Sequence, residues 1–365
     1  MLKSKAINRR SFVTSAAAGA TLGATALTSP AVSSDTFSWK MVTTWPKNFP
    51  GLGTGAQRIA DSITKMSDGR LTVKLYAAGE LVPPFEAFDA VREGKAEMTH
   101  DASYYWVAKH KAFPFFCTVP GGLTVQEHNA WIYYGGGQEL WDELCRGFGM
   151  RSFLAGGSGI QMGGWFQKEL TSADDMKGIK MRMPGYGAEV INRMGATAVN
   201  LPGGEIMPAL QSGVIDATEW VGPWNDLAFG FHKVAKYYYG PGFHEPSSAL
   251  ECLVNLEAYN KLPGDLQLIV QQACQAENVG MLSEFTARNA ASQTVLVEKH
   301  GVSIRHFPDD LVKKAFSISE EVVAETQNFD SLTKRIYESW SHFRQESIQR
   351  GPYAEQGYMN NRALK

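Results

Sequence analysis

The sequence predicts an α/β protein of two similar lobes braced by long C-terminal helices. Three observations predict it. Strand and helix signals alternate through most of the chain, which favours lobes built on mainly parallel sheets. A helix-glycine-strand unit occurs twice, once before His100 and again before Glu219. Residues 265–300 contain almost no helix breaker apart from Gly280, and their apolar positions recur at helical spacing.

The first 33 residues read as an export signal. Lys3, Lys5, Arg9 and Arg10 precede any acid, Ser11-Phe12-Val13 follows the paired arginines, and a soft apolar run covers Ala16 to Leu27. Ala31-Val32-Ser33 supplies small residues at a cleavage site. This layout points to the twin-arginine route and a periplasmic location. An uncleaved anchor is the alternative, but the run is short and weakly apolar beside the roughly 20 residues a span needs.

The 35 basic and 37 acidic residues give a net charge of −2, which becomes −6 once Lys3, Lys5, Arg9 and Arg10 are removed. A mildly acidic protein has no general affinity for phosphate backbones or anionic lipid, which argues against nucleic acid as a partner. Cys117, Cys145, Cys252 and Cys274 lie far apart with no CxxC pair, so a zinc site is not supported. Disulfides and buried free thiols both remain open.

After the signal, Trp39 to Thr44 reads as a strand, Gly55 to Met66 as an amphipathic helix and Leu71 to Tyr76 as a strand. Gly79-Glu80-Leu81-Val82-Pro83 leads to a helix ending at Gly94, and Gly204-Glu205-Ile206-Met207-Pro208 leads to one ending at Gly213. A glycine there suits a left-handed cap. Each unit then runs into a strand whose far end carries polar and aromatic groups, His100-Asp101 in one and Glu219-Trp220 in the other. Ligands in open α/β sheets sit beyond such strand ends, so the two would face each other across a cleft. Chance similarity is the bland alternative.

The remaining length, about 330 residues, exceeds what one core usually holds. Residues 34–157 are expected to form lobe I, completed by about 244–260. Residues 158–243 form lobe II, completed by part of 261–310. Residues 261–300 form a long bracing helix of about 50 Å. Residues 309–350 form a helical region whose aromatics Phe316, Tyr337, Trp340 and Phe343 either pack internally or dock on a second subunit.

Enzyme signatures fail. Gly156-Gly157-Ser158-Gly159-Ile160 lacks the closing glycine of a nucleophile elbow, and Glu127-His128 has no second histidine at zinc spacing. The glycines of Gly51 to Ala56 resemble a dinucleotide loop only weakly and read as a loop opening a helix. His100 is the one candidate acid–base group for a periplasmic keto-acid enzyme.

What remains is isolated polar residues in apolar strands: Gln161, Arg182 between Met181 and Met183, and Glu219. A guanidinium at a strand end suits two-point capture of a carboxylate, with a structural ion pair as the alternative. Glu219 cannot share a small dry site with a bound carboxylate unless a cation or a proton intervenes. A Na⁺ or Ca²⁺ held by oxygens of Glu219 and Gln161 would solve this.

At these residues the chain resembles the solute-binding component of TRAP transporters, the tripartite ATP-independent periplasmic systems. The runs from Asp175 to Arg182 and from Leu210 to Glu219 carry the resemblance. Trp39 to Gly53, Gln161 to Phe166, Met181 to Gly185 and Ala217 to Trp224 look like the branch that binds 2-oxo acids such as pyruvate. The resemblance implies a two-lobed periplasmic binding protein fold with long bracing C-terminal helices, a transport role without catalysis, and TRAP membrane subunits as partners. It places the carboxylate-binding arginine at Arg182. It places a bound Na⁺, alternatively Ca²⁺, on Gln161, Glu219 and the backbone of Trp220, bridging protein and ligand. Tyr104 and Tyr105 are expected to cover the ligand from lobe I, with Trp45, Asn200, Asn225 and Glu245 completing the wall; core packing or a capping role is the alternative for each. Related receptors include dimers made through C-terminal helices, so a homodimer is expected here. Lactate or a C4-dicarboxylate is the alternative ligand, though a dicarboxylate would want a second cation.

Overall fold

A computed structural model of the chain describes residues 35–364. The signal expected over residues 1–33 lies outside them. The chain runs through β1 (Phe37–Thr43), α1 (Leu52–Met66), β2 (Leu71–Tyr76), α2 (Ala87–Arg92), β3 (Met98–Asp101), α3 (Val125–Tyr134), α4 (Gly137–Arg146) and β4 (Met150–Gly157). It continues with β5 (Gly164–Phe166), β6 (Lys180–Arg182), α5 (Gly185–Arg193), β7 (Thr197–Val199), α6 (Gly203–Ser212), β8 (Ala217–Thr218), α7 (Pro223–Phe229) and β9 (Tyr237–Tyr239). Next come β10 (Ala249–Asn255), α8 (Leu256–Asn260), α9 (Gly264–His300), β11 (Ser303–Arg305), α10 (Asp309–Glu325), α11 (Ser331–Arg350) and α12 (Glu355–Arg362).

Among the described residues the strands form two sheets, one in each lobe. The first has the order β2-β1-β3-β10-β4 and the second β11-β9-β5-β8-β6-β7. In the first, β1 is parallel to β2 and β3, and β10 runs antiparallel between β3 and β4. In the second, β6 is parallel to β7 and β8, while β5 is antiparallel to β8 and β9. The carboxyl ends of β1, β3 and β4 therefore share one edge with the amino end of β10. The two-lobed α/β architecture with long C-terminal helices agrees with the expectation from sequence.

The two helix-glycine-strand units are built alike. Gly94 after α2 and Gly213 after α6 take φ of 71° and 74°, the left-handed region that glycine enters without a Cβ clash. Helix α1 starts earlier than expected, so Gly53 and Gly55 lie within its first turn. The reason is close approach rather than a loop: a Cβ on Gly55 would fall 2.3 Å from Met281 Cε of α9.

Helix α9 has 37 residues and runs about 55 Å. Its amino-terminal half lies on lobe I, where Arg58 of α1 pairs with Glu277 at 2.6 Å and Glu284 at 3.0 Å. Farther along, Asn289 Oδ1 accepts from the Trp224 amide of α7 at 3.0 Å, and Leu296 is buried near the end. Phe285 meets Gly51 and Trp224, one from each lobe.

The helical stretch expected over residues 309–350 is broken. Helix α10 ends in a tight turn at Thr326–Asn328, and the Asp330 carboxylate accepts from the Thr333 amide at 2.7 Å to cap α11. An Asx cap of this kind starts a new helix instead of continuing the old one. The break lets α10 pack on α5 while α11 packs on α3 and α4. All four cysteines are buried free thiols.

Candidate functional site

The strand ends of the two lobes meet around a small cavity. Trp45, Leu52, Tyr104, Tyr105, Ser248 and Leu250 line it from one lobe, and Ser158, Gln161, Trp220 and Val221 from the other side. Trp45 follows β1 and Trp220 follows β8, and their rings make an edge contact at 6.2 Å between centroids. Phe49 also meets the Trp220 ring at 6.2 Å and Phe229 at 4.4 Å, closing one flank with aromatic surface.

Arg182, the last residue of β6, is completely buried behind Tyr105 and Trp220. Its Nε donates to the Leu201 carbonyl at 3.1 Å, Nη1 donates to Glu219 Oε1, and Nη2 donates to the Tyr105 hydroxyl at 3.3 Å. The guanidinium also lies over the Trp220 ring, 5.1 Å from its centroid. Burial works to lower the Arg182 pKa, but Glu219, then Tyr105 and Tyr104, hold it above the ordinary arginine value. The guanidinium stays charged despite its complete burial.

Glu219 sits one residue past β8, also with no exposure. Its second oxygen lies 3.4 Å from His244 Nε2. Oxygens of Glu219 and Glu245 and a ring nitrogen of His244 lie within 4.8 Å of one another, all buried. Gln161 reaches the same region from the turn after β4. Its Nε2 donates to Ser158 Oγ at 3.1 Å, and its backbone amide donates to the Glu245 carbonyl at 3.1 Å.

Several buried polar atoms here have no partner. They are Gln161 Oε1, Glu245 Oε2, His244 Nδ1 and Trp220 Nε1. A buried acceptor without a donor costs about 1–3 kcal/mol, so such atoms collect where a ligand or ion binds. Amide and carboxylate oxygens are the donors that hard cations such as Na⁺ and Ca²⁺ take. Burial first, then the charge of Glu219, pushes the Glu245 carboxyl well above the usual range and toward its neutral form. Burial likewise pushes Tyr105 up to about 12, against the lowering effect of Arg182.

The structure brings together Arg182, Gln161, Glu219, Trp220, Tyr104, Tyr105, Glu245 and Trp45. Asn200 does not join them and has to be corrected: it is exposed just after the edge strand β7. The chain turns outward there, and the Leu201 carbonyl faces Arg182 instead. Asn225 is buried but donates to the Pro50 carbonyl at 3.0 Å, joining α7 to the loop before α1. His244, Ser158, Leu52, Ser248 and Leu250 were missed by sequence reasoning. For His244 the available signal was a polar pair, His244-Glu245, in a segment bounded by Gly242 and Pro246.

His100 is not placed for catalysis. Its Nδ1 accepts from Trp45 Nε1 at 2.9 Å, which puts its proton on Nε2, facing the Ala155 carbonyl at 3.1 Å. Burial pushes its pKa down to about 4, and it does not line the cavity. One ring nitrogen is spent on holding Trp45 and the other on the Ala155 carbonyl.

A family model described as bacterial extracellular solute-binding protein, family 7, matches residues 41–329. The chain is 40% identical over 322 residues, covering 88% of each sequence, to a monocarboxylate 2-oxoacid-binding periplasmic protein of Nostoc sp.. It is 39% identical to a TRAP periplasmic solute-binding protein of Pseudoalteromonas atlantica T6c solved with bound sodium and pyruvate. That match has a TM-score of 0.86 and covers 89% of this chain and 99% of the other. A TRAP solute-binding protein of Bordetella bronchiseptica RB50 is 34% identical with a TM-score of 0.88, over 90% of this chain and 97% of the other. That protein was solved as a mixed-occupancy dimer with copurified calcium and picolinate in one active site.

Proposed function

The chain belongs to family 7 of the bacterial extracellular solute-binding proteins, and from that membership we propose that it is the TRAP receptor for a 2-oxo monocarboxylate such as pyruvate, taken up together with Na⁺ or Ca²⁺. Members of this family deliver solutes to TRAP membrane subunits from the periplasm and are receptors, not enzymes. The observation that carries the ligand reading is the buried Arg182–Glu219 pair beside the unpartnered oxygens of Gln161 and Glu245.

The charges dictate how these residues act. Arg182 neutralises Glu219, so a carboxylate entering the site adds an uncompensated negative charge. Gln161, Glu219 and the Trp220 carbonyl would hold a cation that would supply the missing charge and polarise the keto acid's oxygens. The planar fork of Arg182 suits two-point capture of the ligand carboxylate. Tyr105 already accepts from Nη2 at 3.3 Å and helps to hold the guanidinium in place. Tyr104, Trp45 and Trp220 exclude water and favour a short apolar tail. Apart from Arg182 behind Tyr105 and Trp220, no lysine or arginine is among the described residues at the cavity, which disfavours a dicarboxylate.

Export by the twin-arginine route and dimerisation belong to the same proposal. The first rests on Arg9-Arg10. The second rests on exposed Ile348 of α11, Tyr353 in the turn after it, and Tyr358 and Met359 of α12, a surface suited to a second copy.

The test is calorimetric titration of pyruvate and longer 2-oxo acids into chelator-stripped protein, with and without Na⁺ or Ca²⁺. Tight binding that needs the cation is expected. Absence of binding by every 2-oxo acid under both ions would overturn the ligand class.

A further inference from the structure

Asp226 is a buried carboxylate that none of the ligand contacts described above uses. It lies in the first turn of α7, only 1% exposed, and both of its oxygens are fully engaged. Oδ1 accepts from the backbone amides of Val221 and Gly222, each at 3.2 Å. Oδ2 accepts from Trp165 Nε1 at 2.9 Å and from the Tyr238 hydroxyl at 2.7 Å.

The two sides of this carboxylate reach different parts of lobe II. Trp165 of β5 and Tyr238 of β9 are register partners with stacked rings, 4.0 Å between centroids. Trp165 is also the register partner of Thr218, the last residue of β8. Oδ2 is therefore anchored at the centre of the sheet. Oδ1 instead grips the turn that follows Glu219 and Trp220.

Peptide geometry turns that grip into a direction. The amide of Val221 and the carbonyl of Trp220 belong to one planar trans unit, so they point to opposite sides. Holding the Val221 N–H on Asp226 fixes the Trp220 carbonyl facing away from it. In the next unit the Gly222 N–H is held on Asp226, and the Val221 carbonyl accepts from the Met162 amide at 3.0 Å. That second bond ties the same turn to the segment carrying Gln161. Two of the three proposed cation ligands are thus registered against each other through one carboxylate.

We infer that Asp226 is a positioning residue for the cation: by clamping the Val221 and Gly222 amides to the sheet it presents the Trp220 carbonyl in register with Glu219 and Gln161. The inference rests on the cation-linked reading of the site. Burial pushes the Asp226 carboxyl up to about 7, opposed by its hydrogen bonds from Tyr238, Trp165 and Val221. Either protonation state retains Oδ1 as an acceptor, so the clamp does not depend on which prevails.

The test separates clamp from anchor by titrating Ca²⁺ at saturating pyruvate, well below the melting temperature of each variant. Asp226→Ala is expected to weaken the apparent cation affinity about 10- to 100-fold, the range for residues that orient metal ligands. Asp226→Asn keeps an oxygen for the two amides and is expected to stay within about threefold of wild type, although Trp165 N–H loses its acceptor and the protein melts earlier. Tyr238→Phe removes only an anchoring bond and should lower the melting temperature with cation affinity unchanged. Asp226→Leu, which keeps the branched shape without the acceptors, carries the test if the alanine variant does not fold. Wild-type cation affinity in Asp226→Ala or Asp226→Leu would overturn the inference, as would an equal loss in Tyr238→Phe. A wild-type protein whose pyruvate affinity ignores cations would overturn both the inference and the reading beneath it.

Discussion

Arg182 and Glu219, 37 residues apart, meet as a completely buried ion pair, with the Trp220 ring against the guanidinium. Each is the other's main compensation for lost hydration. Arg182→Ala is expected to abolish measurable pyruvate binding and, by stranding Glu219, to cost about 3–5 kcal/mol of stability. The double variant Arg182→Met, Glu219→Gln should recover much of the stability and none of the binding. Chemical denaturation and calorimetry on the three proteins check both halves, and a stable single variant would show that the pair is not the internal compensation described.

Removing the cation should act like removing the ligand. With pyruvate and Ca²⁺ each about 100-fold above its dissociation constant, the complex is expected to gain about 2.7 kcal/mol or more over the stripped protein. A chelator should erase that gain. Gln161→Leu, which deletes the unpartnered Oε1, should reproduce the chelator's effect at low cation and be rescued by about 10- to 100-fold more. Thermal melts across a Ca²⁺ series measure this directly.

The two lobes approach tightly at Gly185. It has φ of 61°, and a Cβ there would lie 3.0 Å from Tyr104 Cβ in the opposite lobe. Gly185→Ala combines left-handed strain of about 1–2 kcal/mol with crowding against Tyr104 across the two lobes. Ligand affinity should fall about tenfold or more, while the ligand-free melting temperature falls less than the affinity loss implies. Equal affinity in the variant would remove Gly185 from the closing surface.

His128 gives a pH signature unconnected with the ligand. Its Nε2 lies 3.2 Å from the Phe115 carbonyl, and burial pushes its pKa down to about 4 from 6.5. The unfolded chain therefore binds more protons between these values. Its contribution to stability is present above pH 6.5 and is lost as pH falls toward 4. His128→Gln should flatten the acid side, losing about 2 kcal/mol less than wild type between pH 6.5 and 4.5. Parallel urea curves for both proteins at the two pH values decide it.

Much of this protein was legible locally. Gly94 and Gly213 announce their caps because only residues without a Cβ enter that backbone region cheaply. The length of α9 follows from an unbroken helical period. Arg182 stood out because a charge between two buried methionines needs a partner. By contrast, nothing around Asp226 marks its four donors, since Trp165, Val221, Gly222 and Tyr238 come from three different segments. Asn200 misled because an edge strand and an interior strand look alike over three residues.

By itself the sequence determined the alternation of elements, the caps, the long helix and the polar residues that have no place in an apolar strand. Those are short-range matters of period, backbone preference and the cost of burying charge. Only the tertiary structure decided that Arg182 takes Glu219, that His244 and Glu245 join them, that Asn200 is exposed and that Asp226 grips the turn after Trp220. Such partnerships depend on where two sheets place their strand ends, and that placement follows from the packing of the whole chain, not from spacing along it.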